Sequence, residues 1–572
     1  MSEEKKLTGY PSIDKPWLKY YSEESINAKL PTGTIFELLW ECNKEHLNDI
    51  ALNYYDRKIT YKKLFEGIDI AAKSFAKLGV KKGEIVAICS VNTPETVYAF
   101  YALNRLGAVA NMIDPRTGVE GVQHYLEECK IRFVVTIEPA YPLFMKVSEN
   151  YKIEKIIIVS PSDSLLQPKK FLYRLKNKQP LLTENSLTWE AFTSSSNNDF
   201  TECAYEKNTC CVIAHTGGTT GSPKGVMISN DNLNSVAHAY QHINIHLERR
   251  QRFFNDLPPF IMYGLGVALH AALCRGLEVI LYPVFDSENF PNLFKKYKPH
   301  HFCGLPDHLK YLISHKATQK MDMSFLITPC VGGDGLNTEL EEKVNDFLKA
   351  HNCSAKAIKG YGMTELSAPA ISTDTKVNAI GSIGIPLIMN TVKIMDMGTL
   401  SELPCGESGE IWITGPTVMM GYYNMPKETS ETIVVDENET RWIRTGDLGY
   451  MTSDGIIYHQ GRLRRIYLTS HEGQPAKIFP MLVEEKIKLS KNVFDCVVVA
   501  RLKENSANYE AIAFIIKEQI DIDISEELKA ICAKEVPTYM QPVEYRFVED
   551  FPHTPIGKVD FRALEKEAEQ LQ

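Results

Sequence analysis

The sequence lacks the features of membrane-spanning, secreted and nucleic-acid-binding proteins. It has no apolar run of the roughly 18 residues that a bilayer-spanning helix needs. The first seven residues are charged and polar, so we expect no secretory signal. The formal net charge is −9, from 63 Lys and Arg against 72 Asp and Glu. A net acidic surface repels phosphates, which makes nucleic acid a poor candidate partner.

Cysteine spacing typical of metal sites is also missing. The 13 cysteines are scattered, without CxxC pairs or Cys/His spacing of the zinc type. This favours reduced thiols in a cytoplasmic protein over a disulfide framework or a zinc site. Cys210 and Cys211 are adjacent in an apolar run, and we predict that both are core residues.

The composition is that of a globular protein with a large core. The chain has 572 residues, of which 44% are apolar and 24% are charged. This length exceeds the size at which a single core stops growing, so we expect at least two domains.

Strands and helices alternate along the first part of the chain. A helix capped by Thr60 and ended by Gly79 precedes an apolar strand over residues 85–89, and a second helix begins at Pro94. Further strands are predicted over 134–137 and 156–159. Such alternation is typical of a parallel sheet layered with helices, so the predicted fold class is α/β.

A basic and apolar segment follows these elements. Residues 169–178 read KKFLYRLKNK, with five basic side chains around Phe171, Leu172, Tyr173 and Leu175. This composition suits a peripheral contact with an anionic membrane. A helix on the surface of the protein itself is the more common explanation, and we favour it here.

The pattern of residues in the sequence changes after Gly461. Arginines cluster over residues 462–465, followed by a predicted helix over 481–489 and predicted strands over 493–500 and 509–516. About 110 residues remain, enough for a compact α+β domain, and the arginine cluster is the natural linker.

The most informative segment is TGGTTGSPKG, residues 216–225. It follows an apolar strand, and Ser229 can cap a helix beyond it, so we expect the loop to join strand to helix. Glycines let the backbone approach a phosphate chain, threonine hydroxyls add donors and Lys224 supplies positive charge. The loop is not a Walker A motif, because Lys224 is followed by Gly225 instead of Ser or Thr.

This loop resembles the phosphate-binding signature of the adenylate-forming superfamily, which includes acyl-CoA synthetases, peptide-synthetase adenylation domains and luciferases. Five further segments resemble the motifs of that superfamily in the expected order. They are GGDGL at 332–336, GYGMTE at 360–365, RTGD at 444–447, GR at 461–462 and PIGK at 555–558.

The resemblance implies an organisation in two domains. Residues 1–462 would form a large AMP-binding catalytic domain of layered sheets and helices. Residues 463–572 would form a small, mobile α+β domain that rotates about a hinge. The hinge position is Arg464, where Asp or Lys is usual.

The resemblance also implies roles for individual residues. Glu365 would hold Mg²⁺ and Thr364 would donate to the α-phosphate, while Lys558 would enter the site as the catalytic cation. Tyr361 would stack on the adenine, and Asp447 and Arg462 would bind the ribose. The full set expected to contact ATP is Thr216, Gly217, Gly218, Thr219, Thr220, Gly221, Lys224, Gly333, Asp334, Gly335, Gly360, Tyr361, Gly362, Met363, Asp447 and Arg462.

The implied activity is ATP-dependent conversion of a carboxylic acid to an acyl-adenylate, followed by thioester formation with CoA. Residues 467–475 do not resemble the tight glycine turn of CoA-forming members, so a carrier-protein thiol or an amine stays open as the acceptor. A non-catalytic nucleotide-binding homologue is a further alternative. Ile261 stands where histidine is common in the superfamily, which favours an apolar or fatty acid as the substrate.

Overall fold

The chain divides into two compact units. The computed structural model describes residues 7–177, 180–194, 199–216, 224–284, 289–465, 467–471, 473–503, 506, 508–518, 522–553 and 559–570. The larger unit comprises Pro16–Val392 and Ile413–Ile443, and the smaller unit comprises Met1–Lys15, Lys393–Trp412 and Arg444–Gln572. Both units mix helices with sheets, which confirms the α/β class.

The strands run along the whole described chain. In chain order they are β1 (Ile50–Tyr54), β2 (Arg57–Thr60), β3 (Ile85–Cys89), β4 (Val109–Ile113), β5 (Phe133–Ile137), β6 (Lys155–Val159), β7 (Ser186–Thr188), β8 (Cys210–His215), β9 (Gly225–Ser229), β10 (Arg252–Asn255), β11 (Glu278–Leu281), β12 (His301–Gly304), β13 (Thr328–Gly332), β14 (Ile358–Met363), β15 (Ala368–Ser372), β16 (Ile385–Pro386), β17 (Thr391–Met395), β18 (Gly409–Thr414), β19 (Gly421–Tyr422), β20 (Ile433–Val435), β21 (Arg441–Met451), β22 (Ile457–Arg462), β23 (Tyr467–His471), β24 (Gln474–Ile478), β25 (Val493–Leu502), β26 (Tyr509–Lys517) and β27 (Glu544–Phe547).

The α-helices alternate with these strands. They are α1 (Pro11–Asp14), α2 (Glu23–Asn27), α3 (Ile35–Asn43), α4 (Tyr61–Leu78), α5 (Pro94–Arg105), α6 (Val119–Glu128), α7 (Tyr141–Val147), α8 (Lys169–Lys176), α9 (Trp189–Thr193), α10 (Asn230–His242), α11 (Ala272–Cys274), α12 (Phe290–Tyr297), α13 (Pro306–Ser314), α14 (Thr338–Ala350), α15 (Pro426–Thr432), α16 (Pro480–Ile487), α17 (Ser525–Glu535) and α18 (Phe561–Gln570). Short 3₁₀ turns occupy Pro16–Tyr20, Glu138–Ala140, Thr364–Leu366, Leu463–Arg465 and Thr538–Met540, and Tyr263–Ala271 forms a π-helix. Among the helices described here, none has the length and apolar composition of a membrane span.

The predicted caps and strands of the first segment are confirmed. The Thr60 hydroxyl accepts from the N–H of Lys63, and Gly79 ends α4 with a φ of 87°. Because that backbone conformation is left-handed, glycine is favoured there. Pro94 begins α5, and β3 has the predicted bounds.

Two sheets build the larger unit. The eight-stranded sheet has the order β19-β9-β8-β4-β3-β5-β6-β7, with parallel pairing from β8 to β7. The nine-stranded sheet has the order β16-β15-β14-β13-β12-β10-β11-β1-β2, with parallel pairing from β14 to β1. All residues of β4 and β5 are buried. Strands buried on both faces are typical of parallel sheets covered by helices.

Three smaller sheets complete the fold. A five-stranded sheet has the order β17-β18-β21-β20, with β22 also paired to β21, and β23 pairs with β24. Strands β25, β26 and β27 form a three-stranded sheet with a core on each face. Along β25 the alternation is strict, because Cys496 and Val498 lie in one core and Val497 and Val499 in the other. The small C-terminal α+β region expected from the sequence is therefore confirmed.

The cysteines, all of which lie within the described residues, are free thiols. Cys211 is buried as predicted for a core residue, whereas Cys210 is half-buried at the start of β8.

A buried ion pair joins α14 to β14 in the larger unit. The Lys359 ammonium donates to the Glu341 carboxylate and, at 2.9 Å, to the carbonyl of Ala379. The other Glu341 oxygen accepts from the N–H of Gly381 at 3.0 Å. Burial lowers the pKa of Lys359, and the hydrogen bond to Glu341 opposes that shift.

We predict that Glu341→Ala destabilises the protein by about 3–5 kcal/mol, because it leaves the Lys359 ammonium buried without its counter-charge. The midpoint of thermal unfolding measures this loss. Glu339→Ala is the matched control on the same helix, because the Glu339–Lys343 pair is exposed. Its expected cost is below about 1 kcal/mol. Equal losses in the two variants would contradict the prediction.

Candidate active site

The predicted phosphate loop connects the two strands of a β-hairpin. Strands β8 and β9 pair antiparallel, with His215 opposite Gly225. Helix α10 begins only after β9, where the predicted Ser229 cap is confirmed by its acceptance of the Asn232 N–H at 3.1 Å. The expectation that the loop joins a strand directly to a helix was therefore wrong. The five residues of β9 form too short an apolar run for periodicity to distinguish a strand from a helix start.

Two hydrogen bonds close this loop at its base. The Thr216 N–H donates to the carbonyl of Lys224 at 3.1 Å, and the Lys224 N–H donates to the Thr216 hydroxyl at 3.2 Å. The predicted residues Gly217, Gly218, Thr219, Thr220 and Gly221 lie outside the described residues. The described ends of the loop are fixed by the sheet.

Lys224 and Glu365, which are 141 positions apart in the sequence numbering, are brought together through one tyrosine. The Lys224 ammonium lies 4.6 Å from the centre of the Tyr422 ring. The Tyr422 hydroxyl donates to Glu365 Oε1 at 2.7 Å. Tyr422 reaches this position because β19 pairs with β9, with Tyr422 opposite Val226. A cation, an aromatic ring and a carboxylate thus form one continuous contact chain.

Glu365 lies in a tight turn between β14 and β15. The turn is a 3₁₀ segment, and the N–H of Ser367 donates to the carbonyl of Thr364 at 2.9 Å. The Glu365 carbonyl accepts from the N–H of Met419 at 3.0 Å, and the carboxylate is buried. Ala368 follows with a φ of 140°, a strained value for a residue with a side chain. The surroundings therefore hold Glu365 in one position.

The strand before this turn contributes four of the residues predicted to contact ATP. Gly360, Tyr361, Gly362 and Met363 are half-buried at the end of β14, and Thr364 begins the turn. A Cβ on Gly362 would lie 2.1 Å from the carbonyl oxygen of Ala368. Only glycine permits this close approach of the two strands.

The second glycine-rich turn lies at the end of the neighbouring strand. Gly333, Asp334 and Gly335 follow β13, which pairs in parallel with β14 so that Gly332 faces Gly360. Gly333 has a φ of 80°, and the Asp334 carboxylate accepts from the N–H of Gly335 at 2.8 Å. Because parallel strands end at the same edge, the two predicted turns are adjacent.

A π-helix lies against both turns. A Cβ on Gly332 would lie 3.4 Å from the Tyr263 ring, and a Cβ on Gly266 would lie 3.1 Å from the carbonyl of Ser367. The π-helix begins at Tyr263, whose hydroxyl contacts Cys330 Sγ at 3.4 Å. π-helical turns occur frequently at functional sites. Ile261 precedes this helix and is half-buried.

In the smaller unit, Asp447 and Arg462 are direct cross-strand neighbours on β21 and β22. Arg462 Nε lies 3.3 Å from Asp447 Oδ1, and His459 Nε2 lies 3.5 Å from the same oxygen. Asp447 is buried, whereas Arg462 is largely exposed. The structure therefore brings together the two residues predicted to bind ribose and adds a histidine.

Glu410 holds the turn that carries Asp447. Its carboxylate accepts from the N–H of Gly446 at 3.1 Å and from the Arg444 guanidinium at 3.2 Å. It also accepts from the Trp412 indole at 2.9 Å. The Thr445 hydroxyl donates to the carbonyl of Ile411 at 2.6 Å, so the turn is fastened at several points.

Two further predicted residues, Arg464 and Lys558, contribute no described side chain. The backbone of Arg464 lies in the 3₁₀ turn Leu463–Arg465, directly after β22. Lys558 lies outside the described residues, as do its neighbours 554–557. Their roles as hinge and catalytic lysine stay predictions.

Sequence reasoning missed Tyr422 and His459. Neither residue belongs to the segments that resemble superfamily motifs. Each is placed beside a predicted residue by strand pairing, β19 with β9 for Tyr422 and β21 with β22 for His459. Nothing in the local sequence signals either contact.

The arrangement fits a magnesium–nucleotide complex. Mg²⁺ usually takes one or two carboxylates together with substrate phosphates instead of a full protein cage. Glu365 offers one such carboxylate, oriented by Tyr422. In the described part of the chain no group of three or more His, Cys, Asp or Glu side chains is placed to hold a metal. A single carboxylate such as that of Glu365 is what this mode of Mg²⁺ binding requires of the protein.

Two family models match the sequence. The model described as AMP-binding enzyme matches residues 39–423. The model described as AMP-binding enzyme C-terminal domain matches residues 482–558.

Curated relatives align over nearly the whole chain. A long-chain-fatty-acid–CoA ligase of Bacillus subtilis (strain 168) is 28% identical over 567 residues, which cover 97% of this chain and 98% of the relative. A 4-coumarate:CoA ligase of Petunia hybrida is 26% identical over 532 residues, which cover 90% of this chain and 89% of the relative.

Solved structures share the fold. An anthranilate CoA ligase in complex with anthranoyl-AMP matches with a TM-score of 0.81 at 21% identity, covering 96% of this chain and all of that one. An amide bond synthetase from Marinactinospora thermotolerans matches with a TM-score of 0.78 at 20% identity, covering 93% of this chain and 99% of that one.

We predict that Tyr422→Phe weakens Mg²⁺-dependent ATP binding about tenfold or more, because it removes a hydrogen bond to a buried carboxylate. Calorimetric titration with ATP, in the presence and absence of Mg²⁺, measures the effect. Tyr423→Phe is the matched control at the adjacent position. An unchanged gain in affinity on adding Mg²⁺ would count against a role of Tyr422 in orienting Glu365.

We predict that Asp447→Asn reduces discrimination between ATP and 2′-deoxy-ATP about tenfold or more. The neutral amide keeps the shape of the side chain but loses the charge that strengthens hydrogen bonds from ribose hydroxyls. Competition binding with the two nucleotides measures the ratio of their affinities. Asp454→Asn, in an exposed turn after β21, serves as the control. If Asp447 had a purely structural role, the substitution would lower the affinity for both nucleotides equally.

Proposed function

This chain belongs to the AMP-binding enzyme family, and on that premise we propose that it is an AMP-forming acid–thiol ligase. In this proposal it joins a carboxylic acid to AMP, with release of pyrophosphate, and then transfers the acyl group to CoA. The observation that supports the proposal best is the contact chain from Lys224 through Tyr422 to Glu365. It assembles, from three distant segments, the charges that a triphosphate and its metal require.

The triphosphate would lie along the loop between Thr216 and Lys224. Backbone N–H groups of the intervening glycines and threonines would donate to phosphate oxygens, and the Lys224 ammonium would offset their charge. Thr364, at the start of the Glu365 turn, would donate to the α-phosphate. Bound Mg²⁺ would supply positive charge to the departing pyrophosphate, with Glu365 as its protein ligand.

The nucleoside would use the other predicted residues. The turn at Gly333, Asp334 and Gly335 and the end of β14 would bound the adenine, with Tyr361 as the stacking ring. Asp447 would accept hydrogen bonds from the ribose hydroxyls, while Arg462 would donate to the same sugar.

Acid activation would need a cation at the reacting phosphate. We assign this role to Lys558, whose ammonium would offset the charge of the attacking carboxylate and the α-phosphate. The family model for the C-terminal domain ends at this residue. We retain residue 462 as the boundary of the catalytic domain and Arg464 as the hinge, so that rotation of residues 463–572 would withdraw Lys558 before thiol transfer.

The acid is proposed to be apolar, with a fatty acid as the first candidate. A relative that aligns over 97% of this chain is named a long-chain-fatty-acid–CoA ligase. The π-helix beside the Glu365 turn is also apolar, with Leu265, Val267 and Leu269 buried, and Ile261 precedes it. Aromatic acids form the second candidate class, because relatives at 26% identity are named 4-coumarate–CoA ligases.

CoA is proposed as the acceptor because the curated relatives are named CoA ligases. The sequence of residues 467–475 does not resemble the tight glycine turn usual in CoA-forming members, and in the structure Gly473, with a φ of 79°, directly precedes β24, which pairs antiparallel with β23. A carrier-protein thiol or an amine therefore stays an alternative acceptor.

We predict that the purified protein exchanges labelled pyrophosphate into ATP in the presence of medium- or long-chain fatty acids, and forms their CoA thioesters when CoA is added. The assay uses a panel of fatty, aromatic and short polar acids, with thioester detected by mass spectrometry. Exchange with aromatic acids alone would reassign the substrate class. Adenylate without thioester would exclude CoA, and no exchange with any acid would overturn the enzymatic proposal.

Lys558→Ala provides the internal control of the same assay. By analogy with the loss of one oxyanion-hole donor, we expect the loss of this cation to lower the exchange rate about 100- to 1000-fold. Lys566→Ala, an exposed lysine of α18, should leave exchange unchanged.

A further inference from the structure

Helix α8 exposes its apolar side chains to solvent. Phe171, Leu172 and Leu175 are 58%, 56% and 68% exposed, and α8 has no buried residue. The helix is flanked by exposed Leu166, Leu181 and Leu182. Single exposed apolar residues are ordinary, but a contiguous group on one short segment marks an interaction surface.

The same helix contacts the protein through its polar side. The Lys169 ammonium donates to Asp56 Oδ2 at 2.8 Å and to the carbonyl of Tyr55 at 3.1 Å. Lys170 donates to the carbonyl of Asp163 at 3.2 Å. Although burial raises the pKa of Asp56, hydrogen bonds from Lys169 and Lys296 lower it to about 2, so this anchor keeps its charge.

The orientation of α8 is thus the reverse of that of an ordinary surface helix. At about 100° per residue, Phe171, Leu172 and Leu175 fall within one sector of about 100°. Lys169, Lys170 and Tyr173 lie on the opposite side, where Lys170 and Tyr173 are half-buried. A surface helix normally turns its apolar stripe to the core. Here that stripe faces outward, which leaves it to be covered by a partner.

Two cations border the apolar sector. Arg174 and Lys176 lie on either side of it, and both are exposed. The chain as a whole carries a net charge of −9, so this basic edge is a local feature. Apolar side chains bordered by Lys and Arg are typical of helices that lie in the headgroup region of an anionic membrane.

We propose that α8 is a docking surface for an anionic lipid membrane. Phe171, Leu172 and Leu175 enter the boundary between headgroups and acyl chains, and Arg174 and Lys176 contact the anionic headgroups. A second copy of the chain is a poorer occupant, because two such helices would bring their cations together. The proposal rests on α8 alone and does not depend on which acid the enzyme activates.

Vesicle sedimentation tests the proposal with the full-length protein. We expect the protein to sediment with phosphatidylcholine vesicles that contain phosphatidylglycerol, and to remain in the supernatant with phosphatidylcholine alone. High salt should release it, because the attraction between the cations and the headgroups is screened. Failure to sediment with the anionic vesicles would overturn the proposal.

Two variants separate the apolar and the charged contributions. Phe171→Ser/Leu172→Ser/Leu175→Ser should weaken binding about tenfold or more. Arg174→Glu/Lys176→Glu should weaken it about 25-fold or more, at about fivefold per basic residue near an anionic surface. Since these side chains are exposed, both variants should keep the wild-type thermal unfolding midpoint.

Matched controls come from other exposed positions. Leu489→Ser/Phe494→Ser removes apolar surface elsewhere, and Lys316→Glu/Lys320→Glu reverses two exposed charges of another lysine group. Both controls should bind vesicles like the wild type. Equal binding by the α8 variants and the wild type would contradict the proposal. A dimer in analytical ultracentrifugation that depends on α8 would assign the surface to a second copy instead.

Discussion

A carboxylate that is buried away from water needs hydrogen-bond or charged partners. The Glu365 carboxylate has such partners at the centre of the candidate site. This carboxylate is buried and accepts from the Tyr422 hydroxyl, while Lys224 lies over the ring of that tyrosine. An isolated buried charge would be strongly unfavourable. The hydrogen bond satisfies one carboxylate oxygen and leaves the group suited to a cation. The Glu365 turn, Lys224 and strand β19 therefore meet at one buried carboxylate.

The sheets determine where such a site can form. Strands β13 and β14 are parallel neighbours, so the two glycine-rich turns that follow them emerge at the same edge. Gly362 lets β15 run close to β14, and the Glu365 turn connects the two strands. The π-helix Tyr263–Ala271 lies against both turns. Rigid strand ends thus position loops that would otherwise be free to move.

The balance between burial and pairing also differs between a buried and an exposed part of the molecule. Lys359 and Glu341 are buried together and hold each other. Lys169 donates to Asp56 on one side of α8, and Phe171, Leu172 and Leu175 are exposed on the other.

The sequence by itself determined the local features of this protein. Thr60 and Ser229 cap their helices, Gly79 ends α4 and the apolar runs of β3 and β5 form strands, because these signals act over a few neighbouring residues. The motif segments also predicted Lys224, Glu365, Asp447 and Arg462 as site residues. Only the tertiary structure decided which of them meet. Strand pairing made 225–229 a hairpin strand, placed Tyr422 between Lys224 and Glu365, and set His459 beside Asp447. Tyr422 and Glu365 are 57 positions apart, and His459 and Asp447 meet only through the register of β21 and β22, so no local propensity encodes these contacts.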